Sequence, residues 1–194
     1  MPHLFSERLR LRAAERSDIP LFLKWINDPQ VTENLVHTMP FSCAEEEAWY
    51  ERMIKLPVEE HVLVMEIKQT DVEDPGKVTW TAIGNIQLMD FDWRIRKAEV
   101  GIMIGEKEQW DKGYGTEALQ VILEHGFNTM NLNRIWLQVY DKNIRGFTAY
   151  KKAGFIEEGR MRQAHYQHGQ YYDIIIMSVI REEWKQPDKP RSRN

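Results

Sequence analysis

Trp110-Asp111-Lys112-Gly113-Tyr114-Gly115-Thr116-Glu117-Ala118 is the stretch on which the reading of this chain turns. It joins an apolar strand over residues 100–104 to a segment over 114–127 whose apolar spacing predicts a helix. Two glycines, two residues apart, stand where that helix begins. Glycine lets successive backbone N–H groups converge on one point and lets a ligand approach the main chain. A helix N-terminus adds orphan donors and the positive end of its dipole. Strand, glycine turn and helix together predict a phosphate cradle. Two familiar cradles do not fit. In a P-loop the Lys follows the glycines, whereas Lys112 precedes them, and a dinucleotide fingerprint needs a third glycine that does not follow Ala118.

Downstream comes an apolar strand, Arg134–Tyr140, and then Asp141-Lys142-Asn143-Ile144-Arg145-Gly146-Phe147-Thr148-Ala149-Tyr150-Lys151-Lys152-Ala153-Gly154-Phe155. With the glycine turn, this block resembles the GNAT superfamily of acetyl-CoA-dependent N-acetyltransferases. The resemblance runs from Glu99 to about Trp184. It rests on Lys112-Gly113-Tyr114-Gly115-Thr116, on the spacing of Asn143 and Tyr150, on Ala153-Gly154-Phe155, and on the hairpin Gln167-His168-Gly169-Gln170-Tyr171-Tyr172-Asp173. Near the N-terminus, Arg8-Leu9-Arg10-Leu11-Arg12, Asp18 and Trp25-Ile26-Asn27-Asp28-Pro29 are similar as well. The nearest groups are the ribosomal-protein N-terminal acetyltransferases and the polyamine acetyltransferases. One position departs. The commoner loop of the family carries Arg or Gln three residues before the first glycine, where this chain has Trp110.

The rest of the chain reads as α+β. Leu9 and Leu11 alternate with arginines, the pattern of a half-buried strand. Ser17-Asp18-Ile19-Pro20 supplies a capping oxygen and an early proline for a helix that Asp28-Pro29 ends. Ser42-Cys43-Ala44-Glu45 is a capping box for a second helix reaching about Leu56. Strands follow over 61–67, 80–89 and 96–104, with a hairpin loop over 69–77 that contains Asp74-Pro75-Gly76. The resemblance implies the GNAT fold, a single mixed and mostly antiparallel sheet flanked by helices. One domain is expected over residues 1–184, and the polar stretch 185–194 is expected to be a disordered tail.

Bulk properties narrow the function. At 194 residues, 42% hydrophobic and 29% charged, the chain can bury one sizeable core. A net charge of -4 argues against nucleic-acid binding. Cys43 is the sole cysteine, so no intramolecular disulfide forms and a reducing, cytoplasmic setting is expected. The N-terminus has no apolar leader pattern, and the apolar run over 174–180 is far too short to span a bilayer, so no membrane partner is expected. The six histidines have no ligand spacing; no metal is expected.

Acetyl transfer to an amine requires a held donor, a neutral amine, a stabilised oxyanion and a proton for the departing thiolate. The resemblance implies that acetyl-CoA is the donor. Backbone N–H groups of Lys112, Gly113, Tyr114, Gly115 and Thr116 would hold its pyrophosphate, with the Thr116 hydroxyl in support. Ile102, Met103 and Ile104 would offer their backbone to the pantetheine arm, and the N–H of Met103 or Ile104 would face the oxyanion. Asn143 would bond the cofactor, and it suits a helix N-cap equally well. Tyr150 is the catalytic candidate at the leaving thiolate, and a core aromatic is its plainer role. Glu99 is a general-base candidate that could equally be a structural partner.

The expected activity is direct transfer from acetyl-CoA to a primary amine. A protein or peptide α-amine leads slightly over a polyamine, aminoglycoside or amino sugar. A lysine-like amine of pKa about 10.4 costs roughly 4.6 kcal/mol to deprotonate at pH 7, against roughly 1 kcal/mol for an α-amine. Acceptor recognition would fall to residues 27–41 and 166–172, where Glu33, and elsewhere Asp90 and Asp92, could draw a cation or simply sit solvated. The rival from another class is a non-catalytic acyl-CoA sensor. A homodimer is common among related proteins.

Overall fold

The computed structural model describes residues 4–35, 39–70 and 78–184. The expected tail over 185–194, most of the loop over 69–77, and part of the acceptor segment therefore lie outside the described residues. Eight strands form one sheet: β1 (Leu4–Phe5), β2 (Leu9–Ala13), β3 (Leu63–Thr70), β4 (Val78–Asp92), β5 (Lys97–Ile104), β6 (Arg134–Tyr140), β7 (Ile156–Gln167) and β8 (Gln170–Ile180). Their order is β1-β2-β3-β4-β5-β6-β8-β7. Only β5 and β6 pair in parallel among these neighbours. The helices are α1 (Ile19–Ile26), α2 (Pro29–Thr32), α3 (Cys43–Met53), α4 (Tyr114–Glu124) and α5 (Ile144–Ala153). This is the mixed, mostly antiparallel sheet flanked by helices that the sequence predicts.

Strand alternation sorts the core into two sides. Met65 and Ile67 of β3 join Val100, Ile135, Leu137 and Val139 in the main core, where α4 contributes Leu119, Ile122 and Leu123. Val64 of β3 instead packs with Phe22 and Trp25 of α1. A buried side chain of this size contributes about 1.5–3 kcal/mol, so the stripe of Ala118, Leu119, Val121, Ile122 and Leu123 fixes α4 against the sheet.

Three local details differ from the sequence reading. The α1 cap is made without a side-chain hydrogen bond. The Asp18 carboxylate is taken by Arg12, at 2.7 Å on each oxygen, and by the Glu15 N–H at 2.8 Å. Asp28-Pro29 ends α1 and also starts α2, because Asp28 caps the Gln30 N–H. The helix predicted over 114–127 is α4, and it passes into a π-turn over His125–Thr129.

The backbone around the end of β5 is closely packed. A Cβ on Gly84 of β4 would lie 2.1 Å from the Met103 carbonyl oxygen, so the two strands meet there only because residue 84 has no side chain. Gly105 likewise abuts the Trp25 ring. The Trp25 indole N–H and the Lys24 ammonium both reach Glu106, at 2.8 and 2.6 Å, which docks α1 on the strand end.

Candidate active site

The site begins where two parallel strands separate. Their register runs Lys97 to Arg134, Ala98 to Ile135 and Glu99 to Trp136, and stops. Both strands continue, β5 to Ile104 and β6 to Tyr140, without pairing to each other. Beside this point the β4–β5 ladder is bulged after Met89, with Asp90 at φ +51°. A bulge increases local twist, which suits it to turning β5 away from β6. The resulting cleft is about 730 Å³.

The exposed edge of β5 offers alternate backbone groups to this cleft. The Gly105 N–H donates to the Ile83 carbonyl at 2.8 Å. Antiparallel ladders exchange bonds at every second residue. Met103 therefore turns its N–H and C=O toward β4, whereas Ile102 and Ile104 turn theirs to the opening. The Trp110 indole N–H, which donates to the Ile104 carbonyl at 2.9 Å, fits that alternation.

The glycine turn forms one end of the cleft. Gly113 is the residue before α4 and has φ +85°, a left-handed conformation suited to glycine. Gly113, Tyr114, Gly115 and Thr116 line the cleft, as do Ile102, Met103 and Ile104. Lys112 is exposed and lies outside the lining; its ammonium contacts Gln109 and its carbonyl accepts from Arg8. Arg8 also pairs with Glu117 and sits over the Tyr114 ring, so the residue just before β2 braces the first turn of α4. The Thr116 hydroxyl makes a long 3.4 Å contact to the Ala149 carbonyl of α5.

α5 forms the facing wall. Asn143 caps it, accepting from the Gly146 N–H at 2.9 Å, and this leaves the amide nitrogen for a ligand. Both roles read from the sequence are thus open to one side chain. Tyr150 is half-buried on the same helix, packs edge-on to Phe155, and lines the cleft. Burial pushes its phenol up to about 12.

Glu99 stands on the opposite face of β5 from Val100 and Ile102, at the inner end of the opening. Burial raises its carboxyl above the ordinary range, Asp90 adds to the rise, and the Gln138 side chain acts the other way. The rest of the cleft wall includes Gln30, Val31, Asn34 and Leu35 from the α2 region, with Met89 and Tyr140. Of the other acids considered, Asp92 is occupied by the Arg94 and Ile95 N–H groups, and Glu33 lines a second cavity of about 400 Å³ next to the first.

Every catalytic and cofactor candidate except Lys112 is therefore gathered in one cleft, whereas the acceptor candidates Glu33, Asp90 and Asp92 and the hairpin over 166–172 lie outside its lining. Three residues were missed as site residues. Trp110 stands in the sequence only as a departure from the commoner loop, and neither Gln138 nor Arg145 belongs to a motif that singles it out. Arg145 in fact lies over the Trp110 ring, with its guanidinium carbon 3.8 Å from the ring centroid. Among the described residues, no group of His, Cys, Asp and Glu could hold a metal ion, and no helix is long and apolar enough to cross a membrane. Cys43 is free and exposed.

Comparison with known proteins places the chain in a family. Residues 8–156 match the Acetyltransferase (GNAT) domain. The N-acetyltransferase p20 of Bacillus licheniformis is 28% identical over 187 residues, covering 95% of this chain and 99% of that protein. The putative ribosomal N-acetyltransferase YdaF of Bacillus subtilis is 32% identical over 102 residues, covering 53% and 55% of the two chains. A crystal structure of spermidine N-acetyltransferase from Vibrio cholerae with CoA and spermine superposes with a TM-score of 0.77 at 26% identity, covering 92% of this chain and 98% of that one. The chain belongs to the GNAT acetyltransferase family and is an N-acetyltransferase that uses acetyl-CoA.

Proposed function

We propose that the cleft catalyses direct acetyl transfer to a primary amine that reaches Glu99 from the face of the sheet carrying Gln138 and Tyr140. The observation that carries this reading is the position of Glu99 at the last paired residue of β5, where the strand opening meets that face. Acetyl-CoA supplies an activated thioester. Gly113, Tyr114, Gly115 and Thr116 bind its pyrophosphate through their backbone, and Asn143 bonds the arm. Glu99 accepts the proton that the attacking amine loses. The Ile104 N–H, the open donor by strand alternation, holds the carbonyl oxygen as negative charge builds there. Tyr150 donates a hydrogen bond to the departing sulfur.

The phenol pKa decides how far Tyr150 goes. Against a thiol near 8.5, complete transfer from a phenol near 12 is uphill by about 5 kcal/mol. Tyr150 therefore acts by a hydrogen bond that strengthens as charge appears on sulfur, and the proton reaches the thiolate from solvent.

For the acceptor, the likeness to spermidine N-acetyltransferase supports a small cationic amine. An α-amine of a protein is the second reading, supported by the likeness to YdaF over half the chain. Thiol release from acetyl-CoA, measured with spermidine, α-amino peptides, aminoglycosides and amino sugars, separates them. Turnover with spermidine and not with peptides is expected. Turnover confined to peptides would overturn the small-amine assignment.

A further inference from the structure

The donor's phosphate end is strongly anionic, yet the cationic side chains close to the glycine turn are mostly engaged elsewhere. Arg8 is held by Glu117, Lys107 by Asp28, Lys24 by Glu106, and Lys112 lies outside the lining. Two cations line the cleft, Arg145 and Lys152. Arg145 starts on α5 and ends against the loop on the other side: its guanidinium stacks on Trp110 at 3.8 Å and lies 3.9 Å from the Asp111 carboxylate. The Asp111 contact is long, and both partners are substantially exposed, so it holds the guanidinium weakly.

The Trp110 ring is fixed at three points. Its N–H is bonded to the Ile104 carbonyl, the side chain packs against the cluster of Phe22, Trp25, Val31 and Val64, and Arg145 stacks on the ring. The stack orients the guanidinium and leaves its planar fork of donors free at the rim. Trp110 and Arg145 also line the second cavity, together with Gln30, Asn34, Asn143 and Ile144, so the pair stands where the two spaces meet.

We propose that Arg145, held in place by Trp110, is the side chain that binds the pyrophosphate of acetyl-CoA, exchanging the Asp111 carboxylate for phosphate oxygens. Arg145 thus bridges the loop and α5 across the mouth of the cleft, and Trp110 is its positioning residue. This rests on the placement of the pyrophosphate at Gly113 to Thr116.

The test is calorimetric titration of the full chain with CoA and with dephospho-CoA, which lacks the 3′-phosphate and keeps the pyrophosphate. Wild type binding CoA establishes the underlying cofactor site independently. Arg145→Ala is expected to weaken both ligands by about tenfold or more, as for one lost charge-assisted pair, with an unchanged melting temperature in the absence of ligand. Arg145→Lys should recover part of the loss. Asp111→Asn, which removes the competing carboxylate, should tighten CoA binding, an effect that a purely structural Asp111–Arg145 pair would not produce. Unchanged affinity in Arg145→Ala overturns the proposal. So does a loss seen with CoA and not with dephospho-CoA, which would assign Arg145 to the 3′-phosphate. Weaker binding in Asp111→Asn would likewise overturn the exchange.

Discussion

Glu99 of β5 and Trp136 of β6 are the last residues to face each other before the two parallel strands part. A carboxylate at that position is buried enough to be a better base than an ordinary glutamate and still lines the cleft. Its raised pKa means that the base is lost as pH falls through a value above the ordinary range of about 4.3. Glu99→Gln is expected to lower kcat/KM by about 10²-fold. The loss should be largest between the Glu99 pKa and that of the amine, and shrink on either side. A wild-type to variant ratio that stays flat across pH would assign Glu99 a structural role.

Tyr150→Phe keeps the aromatic packing against Phe155 and removes the hydroxyl. A fall in kcat of at least tenfold, in the range of general acid–base and hydrogen-bond effects, is expected, with little change in acetyl-CoA affinity. Steady-state kinetics paired with CoA titration reads both. The wild-type rate should show no loss at alkaline pH from this phenol until about 12. An unchanged kcat in the variant would remove Tyr150 from the chemistry.

Gly84→Ala tests the close approach of β4 and β5. The new Cβ would collide with the Met103 carbonyl oxygen, and backbone cannot yield as a flexible side chain can. A destabilisation of about 2 kcal/mol is expected, or roughly 4–8 °C in Tm for a chain of this size. CoA affinity should also fall, because the shifted strand carries Ile102 and Ile104. A thermal melt with wild-type Tm would contradict the packing argument.

Asp18 gives a stability prediction with a defined sign. Burial raises its carboxyl, but hydrogen bonds from Arg12 and from the Glu15 N–H outweigh this and leave it below the ordinary range. A carboxyl lowered in the folded state stabilises the fold above its unfolded pKa, and that stability is lost as pH falls through the lowered value. Asp18→Asn should therefore cost about 3 kcal/mol near pH 7, with wild type and variant converging in acid. Urea melts at pH 7 and pH 3 would show it. A constant difference across that range would mean that Asp18 acts through packing rather than charge.

Much of the site was legible because it is written in contiguous residues. Gly113 and Gly115 at a helix start, Asn143 at a cap and the strand before the loop are local backbone signals, and each stands where the sequence put it. The Ser42 capping box held for the same reason: its two partners are three residues apart. Ser17-Asp18-Ile19-Pro20 carries the signal of a capped helix start, but Arg12, on the preceding strand, takes the Asp18 carboxylate.

The sequence by itself determined the α+β class, the glycine turn at the start of α4, the cap at Asn143 and the resemblance to acetyl-CoA-dependent N-acetyltransferases. The first three follow from periodicity, turn chemistry and spacing within single segments, and the resemblance rests on the motifs that match the family. Only the tertiary structure decided where β5 leaves β6, that Ile104 rather than Met103 turns its N–H to the opening, and that Arg145 crosses to Trp110. Those features depend on strand register, a bulge beside Glu99 and contacts between distant segments, and none of these has a local sequence signal.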